Sequence, residues 1–132
     1  MGQAVNKAAF LLDTVILLDH LEGVAEATSF LASLAPRQAM ISVLTRAELS
    51  SRAEPQDVAL VLRLLDSWEC VSLDRQAVDL AVQLAAEYAL PMLTCWQLAI
   101  ARVQRLILLT RPTPSFDPVS LECEDVDVPY CL

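Results

Sequence analysis

Asp13 ends an apolar run, AAFLL, and Glu48 follows a second one, AMISVL. A buried, unpaired charge costs several kcal/mol, so a carboxylate closing a buried strand needs a partner, a metal or a cleft. Acids at strand ends are the minimum for a hard cation, Mg²⁺ or Mn²⁺, held by carboxylate and water oxygens. Such an ion polarises a phosphate and activates water. The same placement also suits plainer roles. Asp13 could cap a helix by bonding the free N–H groups of the next turn, and Glu48 could be a solvated helix carboxylate. Hydroxyls accompany both acids: Thr14 follows Asp13, Thr45 precedes Glu48, and Thr110 closes a third apolar run, LILLT.

The elements that must position these residues follow from hydropathy patterning. Residues 8–12 read as a buried strand. From Thr14 onward, Ile16, Leu17, Leu21 and Val24 recur at helical spacing, which sets Asp13 at a strand-to-helix junction and Asp19 on the outer helix face, beside the sole histidine, His20. A second helix over about 24–35 stops before Pro36. Residues 39–44 form a strand that runs into a helix opening near Thr45. Helices over 56–67, 75–89 and from Thr94 alternate with strands at 68–73 and 106–110, and Asp74 is placed to cap the second of these helices. A proline-broken loop and a weak strand near 125–130 close the chain.

Alternating strands and helices imply an α/β domain with a largely parallel sheet, in which ligands bind at the carboxyl ends of strands. Asp13, Thr45 with Glu48, and Thr110 therefore converge on one sheet edge.

At 132 residues, 55% apolar with two glycines, the chain is expected to fold as a single domain, 1–132, with one core. Its apolar runs are too short for a membrane span. The first residues make a poor signal peptide, and Asn6 breaks the myristoylation pattern after Gly2. Cys70, Cys95, Cys123 and Cys131 form no C-x-x-C pair, which argues against structural zinc and for free thiols in a reducing cytoplasm. The net charge of −8 opposes broad nucleic-acid binding, although Arg102, Arg105 and Arg111 could line a local groove. Trp68 and Trp96 suit core positions better than base stacking. His20 has no triad partner in the pattern.

LLDTVILLDHL, then ISVLTRAEL, an A-x-x-L-A helix and finally LILLTR ahead of SFD resemble, in order and spacing, the PIN domain, in particular the VapC-like ribonuclease toxins of toxin–antitoxin pairs. The resemblance implies a three-layer α/β/α sandwich around a mainly parallel sheet, usually a homodimer, with acids that bind Mg²⁺ or Mn²⁺ and cleave RNA. Asp13 matches the first metal-binding aspartate and Glu48 the second acid, the two catalytic positions. Thr14, Thr45, Thr110 and Arg111 match polar residues that would meet the substrate. Ser42 brackets Glu48, and Val15 replaces a polar family residue.

The later acids depart from the pattern. Setting Leu98 and Ala99 against the family's D-A-x-I-A puts Cys95 at the third acid, and a shift of one puts Thr94 there. Beyond Thr110 and Arg111, Pro112 and Ser115 stand at the fourth acidic position, with Asp117 just after. A thiol or hydroxyl is a poor Mg²⁺ ligand. The resemblance therefore implies either a metal-dependent endoribonuclease with impaired catalysis or an inactive PIN-like module that binds an antitoxin-like partner.

Overall fold

The computed structural model describes residues 8–35, 37–118 and 123–132; Gly2, Pro36 and the start of the acidic tail at Leu121 and Glu122 lie outside them. The described residues form β1 (Phe10–Leu12), α1 (Thr14–Leu21), α2 (Ala25–Ser33), β2 (Ala39–Ser42) and α3 (Val43–Arg52), then α4 (Val58–Leu65), β3 (Glu69–Val71), α5 (Arg75–Tyr88), α6 (Met92–Val103), β4 (Ile107–Leu109) and β5 (Val126–Asp127). The strands make one sheet in the order β3-β2-β1-β4-β5, and every pairing is parallel.

Period-two alternation sorts the strand residues into two cores. Leu11 and Leu108 pack with Ala81, Leu84, Leu98 and Ile100 of α5 and α6. Their neighbours Leu12 and Leu109 pack on the other face with Leu17, Leu49, Val61 and Leu65 of α1, α3 and α4. Helices cover both faces, as a parallel sheet requires. The expected α/β/α sandwich is the observed fold. Trp68 and Trp96 pack partly buried against the two cores.

Element boundaries move where local chemistry outweighs periodicity. Ser42 is the cap of α3: its Oγ accepts from Thr45 N–H at 3.2 Å, so the helix opens at Val43 and not near Thr45. Pro91, with φ −55°, starts α6 at Met92, two residues before the expected Thr94. Pro55 begins a 3₁₀ turn, Pro55–Asp57, which takes the first residues of the expected helix over 56–67, so that α4 opens at Val58. Asp74 caps α5 as expected, accepting from Ala77 N–H at 2.9 Å. Gly23, at φ 84°, turns the chain after α1.

The order of strands fixes where a site can lie. The chain leaves β1 toward β2 and β3, then returns on the opposite side as β4 and β5. The switch point thus falls between β1 and β4, where open parallel sheets bind ligands beyond the carboxyl ends of their strands. Asp13 N–H donates to Leu109 O at 2.9 Å across this point. No helix among the described residues is long and apolar enough to cross a membrane.

Candidate active site

A cleft of about 320 Å³ opens beyond the switch point. Asp13, Thr14, Glu48, Thr94, Thr110 and Ser115 line it, with Arg52 at its mouth. The structure therefore brings together three of the expected segments: the end of β1, helix α3 and the end of β4.

Asp13 sits at the hub. One carboxylate oxygen, Oδ1, accepts from Thr14 N–H at 2.9 Å and from Gln97 Nε2 at 3.2 Å. The other accepts from the Thr110 hydroxyl at 2.7 Å. Asp13 is thus a helix cap and part of a wider polar network. Burial raises its carboxyl above the ordinary carboxylate range. The bonds from Thr110, Thr14 and Gln97 pull the other way, and the charge of Glu48 adds to the rise.

Thr45 turns inward from α3 and is fully buried. Its hydroxyl accepts from Gln97 Nε2 at 2.8 Å and lies 2.8 Å from the Thr14 hydroxyl. The Thr45 hydroxyl thus holds both Thr14 and Gln97, with no surface of its own left for a substrate, while Thr14 still lines the cleft. Glu48 lines the cleft. Its Oε2 accepts from Arg52 at 3.1 Å, whereas its Oε1 is buried and has no hydrogen-bond partner among the described residues.

Position 95 is not part of this site. Residues two apart on a helix point about 200° away from each other, so Cys95 and Gln97 cannot both face Asp13. Cys95 faces the α5–α6 core, fully buried, with its thiol 3.7 Å from Leu90 O. Gln97 faces Asp13, and Thr94, three residues earlier on the same face, reaches the cleft rim. The chain carries a signal for this: setting Ile100 and Ala101, not Leu98 and Ala99, against D-A-x-I-A puts Gln97 where the aspartate belongs. Pro112 lies outside the cleft lining, Ser115 within it, and Asp117 is exposed and outside it.

Arg111 and Asp19 also fall elsewhere than expected. Asp19 is 3% exposed and is not a surface residue. It takes a two-pronged bond from Arg111, Nε at 2.5 Å and Nη2 at 2.8 Å, and a third from the Tyr130 hydroxyl at 2.8 Å. Arg111 is thereby turned away from the cleft. His20 pairs with Thr28, at 2.8 Å, and not with Asp19. Arg102 is committed to Asp125, at 2.7 Å. No basic groove forms from Arg102 and Arg111.

A divalent cation is what this fold's strand-end acids would be expected to hold, and the residues present do not fit one well. Mg²⁺ takes near-octahedral oxygen donors, at least one or two of them carboxylates with free lone pairs. Asp13 Oδ1 already accepts two bonds and Oδ2 one, and the Gln97 side chain aimed at Asp13 presents an amide N–H, a donor that repels a cation. The ready donors are the unpartnered Oε1 of Glu48 and the one lone pair left on Asp13 Oδ2, fewer carboxylate oxygens than a tight Mg²⁺ site uses. No cluster of three or more His, Cys, Asp or Glu suited to a metal occurs among the described residues.

Sequence comparison matches residues 10–112 to the PIN domain, and the chain belongs to the PIN domain family. Within it, the likeness runs to the VapC-like toxins. The chain is similar to a toxin–antitoxin complex from Klebsiella pneumoniae, with 30% identity, a TM-score of 0.80, and coverage of 94% of this chain and 100% of that one. It also resembles VapBC-5 of the VapBC toxin–antitoxin family from Mycobacterium tuberculosis, with 25% identity, a TM-score of 0.60, and coverage of 92% and 97%. DNA-bound VapBC from Salmonella typhimurium shares the fold at 18% identity and a TM-score of 0.68, over 93% of this chain and 99% of that one. No curated protein matches by sequence.

Proposed function

We propose that this chain is a toxin-like PIN protein in which metal-dependent RNA cleavage is lost or strongly reduced. One observation carries the reading: Gln97 donates to Asp13 where a third acid would complete the site. A nuclease of this kind needs carboxylates to fix Mg²⁺ or Mn²⁺ and to position water, and such positioning contributes roughly 10²–10⁴-fold to rate. Asp13 and Glu48 would remain as ligands and catalytic residues, with Thr110 beside them.

The relative from Klebsiella is a toxin–antitoxin complex, which supports an antitoxin-like partner for this chain. We further propose a single PIN unit over 1–132 that acts in the cytoplasm as a homodimer. The exposed apolar side chains Val78 and Val82 of α5 and Met92 of α6 support a dimer surface on these helices. If catalysis is wholly lost, the chain works as a binding module through these surfaces.

The test is RNA cleavage by purified protein with Mg²⁺ or Mn²⁺, run beside Asp13→Ala. The expected result is cleavage at least ~10²-fold slower than an active PIN nuclease. Family-like rates that Asp13→Ala abolishes would refute the proposal.

A further inference from the structure

Gln97 is a long polar side chain that is 1% exposed, and nothing in RNA binding accounts for it. A buried amide is tolerated when both its ends are bonded. Here the bonds also set which way it points. The Ser42 hydroxyl already accepts from Thr45 N–H, so its proton goes to Gln97 Oε1, at 2.7 Å. That turns the NH₂ end toward Asp13 Oδ1 and Thr45 Oγ1. An aspartate ringed by donors matches this orientation and would oppose the flipped one.

We propose that the Gln97 amide stands in place of a divalent cation, so that the resting cleft is complete without metal. This deepens the function proposed above and rests on it only in taking this cleft as the site. Two N–H groups give Asp13 and Thr45 the positive partner that an ion would otherwise supply. The physical consequence is a switch held by one side chain. A carboxylate one methylene shorter than Gln97 would draw back from Asp13 and leave two anions facing across a gap. Mg²⁺–oxygen bonds of about 2.1 Å fill such a gap, and Glu48 Oε1 is free to join.

The experiment uses the whole chain with MnCl₂ as probe, read by thermal unfolding and by the electron paramagnetic resonance of free Mn²⁺. Wild type is expected to keep its Tm in millimolar Mn²⁺ and to leave the free-ion signal intact. Gln97→Asp is expected to melt lower without metal and to rise by about 10 °C at a hundredfold excess over Kd. It should bind one ion per chain and lose that binding when combined with Asp13→Asn. The proposal is overturned if wild type is stabilised by Mn²⁺ and Asp13→Asn removes the effect, or if folded Gln97→Asp ignores Mn²⁺. Should Gln97→Asp fail to fold, the isosteric Gln97→Glu decides: destabilisation that Mn²⁺ rescues supports the proposal, whereas stability equal to wild type, or destabilisation that Mn²⁺ does not rescue, overturns it. RNA cleavage by wild type at family-like rates in the presence of EDTA, lost in Asp13→Ala, would refute the reading of an impaired nuclease and leave this inference standing. Mn²⁺-stabilised wild type that cleaves nothing would do the reverse.

Discussion

Arg111 grips Asp19 through both carboxylate oxygens, and Tyr130 closes the same carboxylate from the C-terminal segment. Three stretches of chain meet there: α1, the loop after β4 and the residues after β5. The Tyr130 ring also packs against Phe30 of α2, with ring centroids 6.5 Å apart. The cluster ties the chain's last residues to the face that carries α1 and α2.

Removing Asp19 leaves Arg111 half-buried without its partner. Breaking a buried pair costs about 3–5 kcal/mol, and the 21% exposure of the Arg111 side chain puts Asp19→Ala toward 2–3. Tyr130→Phe removes one hydrogen bond to a charged group and should cost about 1.5 kcal/mol. Urea unfolding of both variants and of the double mutant measures this; because Asp19→Ala already removes the Tyr130 bond, the effects should be less than additive, and full additivity would show that this bond contributes nothing.

The bond from Arg111 holds the Asp19 carboxyl below its ordinary value of 3.8, against the opposing effect of burial. For a depressed carboxylate the stabilisation is fully present above the unfolded value and is lost as pH falls through the folded one. Wild type should therefore lose stability steeply below about pH 4, and Asp19→Asn should show a shallower acid limb. Unfolding free energies measured from pH 2 to 7 give the comparison; parallel curves would contradict it.

Asp13 has the opposite sign. Its carboxyl is raised chiefly by burial, so ionisation costs stability as pH rises above 3.8. Asp13→Asn keeps the shape and the Gln97 bond. It should be more stable than wild type at pH 7, with the gap closing toward pH 3. A Tm equal to or below wild type at neutral pH would show that the hydrogen bonds outweigh burial.

Ser42 does two things at once: it caps α3 and orients the Gln97 amide. Losing a cap costs about 1 kcal/mol, and an unpaired buried carbonyl costs another 1–3. Ser42→Ala should thus cost about 2–4 kcal/mol, well beyond Asp74→Ala, whose side chain caps α5 and does nothing else in the site. Chemical denaturation of the two variants side by side tests the difference.

Much of this was legible in the sequence. Continuous apolar runs of the kind buried on both faces, AAFLL and LILL, name their strands, and Asp13 and Thr110 necessarily follow them. Asp74 reads as a cap because capping is a contact within three residues. The site's third partner is harder to read, because D-A-x-I-A can be laid on α6 in several registers, of which spacing favours those giving Cys95 or Thr94. Only the rotation of the helix about its axis, which packing fixes, turns Cys95 to the core and Gln97 to Asp13. Helical spacing puts Asp19 on an outer face because it shows one helix at a time. Its partners lie 92 and 111 residues away.

Sequence alone determined the alternation of strands and helices and the placing of acids and hydroxyls at strand ends, since these follow from local pattern and chain direction. Tertiary structure decided what those residues touch. The order β3-β2-β1-β4-β5 puts Asp13 beside Thr110, the packing of α6 aims Gln97 at Asp13, and the final segment brings Tyr130 to Asp19. Each is a contact between distant parts of the chain, made by burial that no local spacing records.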